Sequence, residues 1–390
     1  MSFDDIIDFH GTHSNKWDMM EQNTGVPSAE GLAMWVADMD FRPPEGMIRA
    51  VTDAAGRGLF TYFGDLGEYE ASIVWWMKTR HSWDVAPAEI MTTHGIVNAV
   101  SMALEAYTRP GDGVILMTPV YHAFARVIRA NDRRLVECPL SLKDGMYAMD
   151  FDTWEGMMTG DERMLILCSP HNPGGRVWTR DELRAVADFA RRHDLILVSD
   201  EIHHDLVYPG RKHLPMPVAA PEVRDRTVVM SATSKTFNVA GMHCGNVIIH
   251  NPALRSAYQK RLSQLSISPN SMSLRMTPAL YSPEGAAWVD ALCVYLDNNH
   301  RIFVDGINAI PGLRAQPMQG TYLAWVDFAG TGMTREEFSA RVAQGAKIAA
   351  NSGPAFGAGG ETFLRFNLGT SRALVEEAVA RMRHAFRDLQ

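Results

Sequence analysis

Residues 231–241 read Ser-Ala-Thr-Ser-Lys-Thr-Phe-Asn-Val-Ala-Gly and directly follow the apolar run Val-Val-Met at 228–230. This pattern predicts a buried strand that ends in a tight polar turn carrying Lys235. Because burial disfavours the charged form of a lysine, we expect a lowered pKa and a neutral amine at Lys235. A neutral amine can form a Schiff base with an aldehyde. Neighbouring hydroxyl groups could bind an anion such as a phosphate, namely those of Ser231, Thr233 and Ser234.

Short apolar runs separated by helical patterns fill the middle of the chain. The predicted strands are 113–118, 164–168, 195–199, 227–231 and 245–249. Continuous apolar strands that alternate with helices indicate an α/β fold with a mostly parallel central sheet covered by helices. Ligands of such sheets bind at the carboxyl ends of the strands, so the polar clusters that follow these runs supply the candidate site residues.

The pattern changes after about residue 285. A long helix is predicted at about 286–309, then short strands near 321–328 and 362–367, and a last helix at about 371–389. We therefore predict an N-terminal arm at 1–48, a large domain at 49–285 and a smaller α+β domain at 286–390.

The composition excludes several classes of protein. The 390 residues are 46% hydrophobic and 21% charged, with a net charge of −8; an acidic chain without a basic run argues against nucleic acid and anionic membranes as partners. No apolar run approaches the roughly 18 residues of a membrane span, and the N-terminus lacks the pattern of a signal peptide. The four cysteines are widely spaced, which is typical of reduced thiols and predicts a cytoplasmic protein.

Five polar or special residues stand where binding chemistry is expected. Asp200 ends a predicted strand, where a buried carboxylate needs a cationic partner such as a protonated pyridine nitrogen. Asn172 lies in a turn fixed by proline and glycine, and its amide suits a phenolate oxygen or a carboxylate. Gly95 begins a predicted helix whose free N–H groups would attract a phosphate. The ring of Tyr121 could stack on a flat heterocycle, and Arg365 could bind a carboxylate through two parallel hydrogen bonds.

Each of these residues also has an ordinary structural interpretation. Asp200 could cap the next helix, and Asn172 could belong to a plain Asn-Pro turn. Tyr121 could be a core residue, and Arg365 could pair internally. The functional hypothesis rests on their occurrence together and in this order.

Together, the Asn-Pro turn, the aspartate, the Ser-x-x-Ser-Lys turn and the arginine resemble the fold type I family of pyridoxal 5′-phosphate enzymes, aminotransferase class I/II, over nearly the whole chain. The likeness is strongest to the cystathionine β-lyase or C–S lyase branch. The segments that carry it are 16–18, 34–41, 169–178, 199–203, 234–241 and 320–323. The chain differs at His243, near the place where many aminotransferases have a phosphate-binding arginine.

The resemblance implies roles for the candidate residues. Lys235 would bind pyridoxal phosphate covalently and transfer protons, Asp200 would keep the pyridine nitrogen protonated, and Tyr121 would stack on the ring. These three are the predicted catalytic residues. The further cofactor contacts that the resemblance implies are Asn172, His203, Gly95, Ile96, Val97, Ser234 and Tyr62. The implied substrate-binding residues are Arg365, Asn172 and the backbone near Val36.

The resemblance also implies partners and a reaction. Tyr62 is similar to a family tyrosine that reaches the phosphate of the neighbouring subunit, which implies a homodimer to which the arm 1–48 contributes. The expected reaction is β-elimination from L-cystathionine or a related cysteine S-conjugate, giving a thiol, pyruvate and ammonia. An aminotransferase is the alternative, and a regulatory binding protein is a second one, because some relatives of this branch also bind transcription factors.

No metal site is predicted. The histidine pairs His203–His204 and His10/His13 lack cysteine or carboxylate partners at ligand spacing, and isolated histidines of this kind are seldom ligands.

Overall fold

The computed structural model describes residues 2–389. The strands are β1 (Leu32–Ala33), β2 (Ile90–Thr93), β3 (Gly113–Thr118), β4 (Arg134–Pro139), β5 (Ser141–Lys143), β6 (Met146–Ala148), β7 (Glu162–Cys168), β8 (Ile196–Asp200), β9 (Thr227–Ser231), β10 (Gly245–Ile249), β11 (Arg314–Ala315), β12 (Leu323–Asp327), β13 (Ile348–Ala349), β14 (Asn351–Ser352) and β15 (Phe363–Asn367). The α-helices are α1 (Met20–Thr24), α2 (Glu45–Gly56), α3 (Gly67–His81), α4 (Ile96–Tyr107), α5 (His122–Ala130), α6 (Phe151–Glu155), α7 (Arg180–Arg192), α8 (Met216–Ala219), α9 (Thr233–Thr236), α10 (Pro252–Gln264), α11 (Ser271–Leu280), α12 (Pro283–Asn308), α13 (Arg335–Ala340) and α14 (Arg372–Ala385).

Seven strands form the central sheet in the order β2-β10-β9-β8-β7-β3-β4. Neighbours from β9 to β4 are parallel, whereas β10 runs antiparallel to both β9 and β2. Successive side chains of β3 enter two different core clusters, one with α4, α5 and α10 and the other with α7 and α8. Both faces of the sheet are therefore covered, which explains the continuous apolar runs and confirms the predicted α/β fold.

The sequence located most central strands closely. The strands predicted at 113–118, 227–231 and 245–249 have those bounds, and β7 and β8 differ from prediction by at most two residues at either end. Helix α7 begins at a Thr-x-x-Glu capping box, where the Thr179 hydroxyl accepts a hydrogen bond from the Glu182 backbone N–H. Strand β4 was missed because it lies at the sheet edge, where buried and exposed side chains alternate and no apolar run forms.

A smaller antiparallel sheet has the order β11-β12-β15-β14. It follows α12 in the chain and shares a core cluster with α12 and α14. The short strands β12 and β15 lie where the sequence predicted them. The division of the chain at residues 48 and 285 stays a prediction.

The N-terminal arm contains a small apolar cluster and a buried ion pair. Trp17 and Met20 belong to the cluster. Nζ of Lys16 lies 2.8 Å from Asp40 Oδ2, with the two side chains only 2% and 6% exposed. Trp17 Nε1 donates to the other oxygen of Asp40 at 2.9 Å. The arm is thereby fixed to the segment that leads into α2.

Among residues 2–389, no helix is long and apolar enough to cross a membrane.

We predict that Lys16→Met lowers the free energy of unfolding by about 3–5 kcal/mol, because it leaves the Asp40 carboxylate buried without its cation. Lys78→Met is the matched control: Lys78 pairs with Asp84 on the surface, with side chains 59% and 81% exposed, and should change stability by about 1 kcal/mol or less. Urea unfolding of both variants measures the difference. Equal effects of the two substitutions would contradict a structural role for the buried pair.

Candidate active site

A cavity of about 230 Å³ lies at the carboxyl edge of the central sheet. It brings together nine of the predicted site residues: Gly95, Ile96, Val97, Tyr121, Asn172, Asp200, His203, Ser234 and Lys235. These residues follow or end β2, β3, β7, β8 and β9. Because these five strands point in the same direction within the sheet, their carboxyl ends meet at one edge and the residues converge there.

Asp200 is a buried carboxylate with little to balance its charge. The residue is 4% exposed and accepts a hydrogen bond from the backbone N–H of Ile202 at 3.1 Å. Burial raises the pKa of Asp200 to about 7. The residues after Asp200 form a turn and not a helix, so Asp200 caps no helix. Its carboxylate faces the cavity, where a cationic ligand would stabilise its charged form.

Lys235 lies on the short helix α9, in the turn after β9. Its side chain is 20% exposed, and Nζ donates a hydrogen bond to the Ala37 carbonyl at 2.7 Å. Burial lowers the pKa of Lys235, as the sequence predicted, although the Asp38 carboxylate 3.8 Å away acts in the opposite direction. The amine is held at the cavity wall by the Ala37 carbonyl and the Asp38 carboxylate.

Residues 35–41 have no regular secondary structure and run beside Lys235. The side chain of Asn238 accepts a hydrogen bond from Met39 N–H and donates to the carbonyls of Met39 and Phe41. Asn367 donates to the carbonyls of Val36 and Asp38 at 2.6 and 2.7 Å. Both sheets therefore hold this segment, since Asn238 follows β9 and Asn367 ends β15.

Arg365 reaches the same region from β15 of the smaller sheet. Its guanidinium donates to Asn172 Oδ1 at 3.1 Å, to the Trp35 carbonyl at 2.9 Å and to Asn351 Oδ1 at 2.7 Å. The residue is 2% exposed, and burial lowers its pKa to about 10. Within residues 2–389, no carboxylate lies within ion-pair distance of this guanidinium. A buried cation with only neutral acceptors is suited to a carboxylate from a ligand.

His203 and Tyr121 complete the wall. His203 is 3% exposed, and burial lowers its pKa to about 3, helped by the nearby Lys235 and Arg365 cations. Its Nδ1 has no hydrogen-bond partner among the described residues. The neutral imidazole can therefore serve a ligand oxygen. Tyr121 is partly buried and its ring meets Phe124 edge to face, with centroids 5.4 Å apart.

Three sequence predictions need correction or restriction. Ser231 and Thr233 are buried within the protein and do not line the cavity. Of the three hydroxyl residues named for this turn, Ser234 alone lies at the cavity. Of the described segment 35–41, Ala37 rather than Val36 lines the cavity, and the Val36 carbonyl is occupied by Asn367. Tyr62 is fully exposed and has no place in this chain's own cavity; its contact with the phosphate of a neighbouring subunit stays a prediction.

Some site residues were missed by sequence reasoning. Tyr322 donates its hydroxyl hydrogen to the Ala37 carbonyl at 2.7 Å, beside the bond from Lys235. Asp38 lies near Lys235, and His94 lines the cavity. His243, which the resemblance had placed near the phosphate, lines the cavity as well. Asp38 and Tyr322 lie in the segments 34–41 and 320–323, which carry the family resemblance. The sequence did not show that they lie near Lys235, and the fold does.

Comparison with known proteins gives a consistent result. The family model described as aminotransferase class I and II matches residues 33–382. Cystathionine β-lyase PatB from Bacillus subtilis (strain 168) is 35% identical, covering 99% of this chain and 100% of that protein. The structure of cystalysin from Treponema denticola, which contains pyridoxal 5′-phosphate, has a TM-score of 0.95 at 36% identity and covers 100% of this chain and 99% of its own. The PLP-bound C–S lyase from Staphylococcus hominis has a TM-score of 0.90 at 28% identity, with 99% and 98% coverage.

We predict that Asp200→Asn stabilises the chain at high pH when no ligand is added. The pKa of about 7 in the folded protein lies above the ordinary aspartate value of 3.8, so ionisation of Asp200 costs stability progressively between about pH 4 and pH 7. The full cost is of the order of 4 kcal/mol above pH 7. The variant retains an oxygen for the Ile202 N–H but carries no charge.

Urea unfolding of the ligand-free proteins at pH 5 and pH 8 tests this. The variant should gain stability over the wild type mainly at pH 8. A difference that does not depend on pH would show that the Asp200 carboxylate is not destabilised by burial.

Proposed function

The chain belongs to the aminotransferase class I and II family, and we propose that it is a pyridoxal-phosphate-dependent carbon–sulfur β-lyase acting on L-cystathionine or a related cysteine S-conjugate. One observation carries the proposal. An amine with a lowered pKa, Lys235, and a buried carboxylate, Asp200, line one cavity. At its wall Asn172 receives a hydrogen bond from Arg365, whose guanidinium lacks a carboxylate.

The residues of the cavity fit pyridoxal phosphate. Asp200 is a buried anion that needs a cation, and a protonated pyridine nitrogen is one. The unpartnered Nδ1 of His203 and the amide of Asn172 suit the phenolic oxygen. Gly95 has φ of +90° at the start of α4, a conformation that favours glycine and leaves the first N–H groups of that helix free for a phosphate.

Each residue then has a proposed task. Lys235 would hold the aldehyde of the cofactor, Tyr121 would contact the ring, and Gly95, Ile96, Val97 and Ser234 would bind the phosphate. When bound, pyridoxal phosphate supplies an electron sink that stabilises a carbanion at Cα of an amino acid. Asp200 keeps its negative charge beside the ring nitrogen and so favours the protonated ring.

Arg365 and Lys235 act on the substrate. Arg365 binds the α-carboxylate through its fork of N–H donors, and Asn172 orients the guanidinium. Once the amino group of the substrate has replaced it, the freed amine of Lys235 would accept the α-proton. In the net reaction the Cβ–S bond breaks, a thiol leaves, and water converts the remaining three-carbon unit into pyruvate and ammonia.

The support for lysis over transamination comes from the relatives. PatB is named a cystathionine β-lyase, and the structure from Staphylococcus hominis is that of a C–S lyase. Both classes of reaction need the same amine, carboxylate and guanidinium, so the cavity described above serves either.

We further propose a cytoplasmic homodimer. All four cysteines are unpaired and buried, which is the usual state in a reducing compartment. Tyr62 is fully exposed, and Phe60 in the same loop is 68% exposed. An exposed aromatic pair of this kind suits a contact with a second copy, where Tyr62 would reach the neighbouring cavity.

We expect the protein, reconstituted with pyridoxal phosphate, to release pyruvate and thiol from L-cystathionine in equal amounts. Lys235→Ala should lower the rate by at least about 10²–10⁴-fold, because the proton at Cα then has no acceptor. Lys143→Ala, a change at an exposed lysine of β5, is the control and should leave the rate unchanged. Amino transfer to a 2-oxo acid without release of thiol would identify an aminotransferase instead.

Arg365→Lys should raise KM for L-cystathionine about 10–100-fold while changing kcat less. The variant keeps the charge but loses the forked geometry, and a charge-assisted hydrogen bond contributes about 1.5–3 kcal/mol. Steady-state kinetics measures the two constants separately. The control is Arg163→Lys, at an exposed position outside the cavity. An unchanged KM in Arg365→Lys would place the substrate carboxylate elsewhere.

A further inference from the structure

A second group of chemically active side chains lies outside the candidate active site, around Asp205. Nε2 of His81 lies 2.9 Å from Asp205 Oδ1, and Nε2 of His204 lies 2.8 Å from Oδ2. The side chains of His81, His204 and Asp205 are 5%, 2% and 0% exposed. One potential ligand atom from each lies within 4.8 Å of the others.

The fold removes the reason for which the sequence predicted no metal here. His203 lines the active-site cavity, whereas its neighbour His204 faces Asp205. The third member, His81, ends α3 and precedes Asp205 by 124 positions. The carboxylate is thus supplied by Asp205, the residue after His204, and an imidazole in place of that of His203 is supplied by His81 of a distant helix.

We propose that His81, His204 and Asp205 form a binding site for one divalent transition-metal ion of the Zn²⁺ type. Two imidazole nitrogens and one carboxylate oxygen are a ligand set that Zn²⁺ uses with a fourth position left for water. Other borderline ions such as Co²⁺ and Fe²⁺ accept the same ligands. The proposal is independent of the lyase function.

The contact of His204 supports an ion between the groups. Its Nε2 lies 2.8 Å from Asp205 Oδ2, yet it has no hydrogen bond of acceptable geometry within residues 2–389. A buried imidazole nitrogen facing a carboxylate oxygen without donating to it is an arrangement that a shared cation stabilises.

The carboxylate is already oriented by other donors. Trp76 Nε1 donates to Oδ1 and Oδ2 of Asp205 at 3.0 and 3.2 Å, and the Thr236 hydroxyl donates to Oδ2 at 2.8 Å. Such outer contacts fix the direction of a ligating carboxylate and raise metal affinity. Because Thr236 follows Lys235 in the chain, an ion at Asp205 would also fix the turn that carries the catalytic amine.

A cavity of about 380 Å³ leads from the surface to the three residues. It provides a path for the ion and room for a water ligand. The neighbouring charges leave Asp205 available: Arg80, which lines the cavity, pairs with Asp290 at 2.6 Å, and His213 pairs with Glu201 at 2.9 Å. The ring of His213 stays 5.7 Å from that of His81, outside the ligand set.

The test uses the full-length, pyridoxal-phosphate-loaded protein without a polyhistidine tag, stripped with chelator and titrated with Zn²⁺ or Co²⁺. We expect one ion per chain and the intense visible absorption of four-coordinate Co²⁺. His81→Asn and His204→Asn should each weaken binding by more than about 100-fold, since even outer contacts are worth 10–100-fold. His10→Asn, at an exposed histidine paired with Asp8, is the matched control and should bind as the wild type does.

Two results would overturn the proposal. One is the absence of a bound ion in the wild type. The other is an affinity unchanged in both His81→Asn and His204→Asn, which would indicate an adventitious ion only. Asp205 is left intact because its removal would free Trp76 and Thr236. If the variants do not fold, the wild-type Co²⁺ protein decides: two paramagnetically shifted imidazole N–H resonances support the site, and their absence excludes it.

Discussion

The hydrogen bonds that hold residues 35–41 determine whether the two sheets share one site. This segment is irregular, and side chains from both sheets donate hydrogen bonds to its backbone carbonyls. Asn238 follows a strand of the large sheet, and Arg365 and Asn367 belong to the small one. An irregular buried segment requires such partners, because unpaired backbone groups are costly. Lys235 and Arg365 are both bonded to it, since Lys235 Nζ donates to the Ala37 carbonyl and the Arg365 guanidinium donates to the Trp35 carbonyl.

The site concentrates groups that weaken the fold on their own. A buried carboxylate at Asp200, an amine with a lowered pKa at Lys235 and a buried guanidinium without an anion at Arg365 are each unfavourable without a ligand partner. A ring cation for Asp200 and a carboxylate for Arg365 would remove two of these penalties. These free-energy penalties are therefore a source of ligand affinity, since binding supplies the missing partners.

The sequence was informative where function is encoded locally. Asp200 and Lys235 could be predicted because each ends or follows an apolar strand, and strand ends of a parallel sheet meet. Tyr322, Asp38 and the His81–Asp205 contact could not be found in this way, since their partners are distant in the chain and no periodicity records them. The direction of β10 was equally hidden, because an apolar run shows burial but not orientation. Edge strand β4 has no apolar run, so the sequence did not indicate a strand there.

The reversal between β9 and β10 has a mechanical consequence. Ser231 and Asn246 are direct partners in the sheet, so residues 232–244 form a loop whose two ends are fixed next to each other. A loop that is fixed at both ends has fewer conformations than one fixed at a single end, because few conformations connect two fixed points. The amine of Lys235 is therefore carried by a segment that two paired strands anchor, and its position depends on β9 and β10 together.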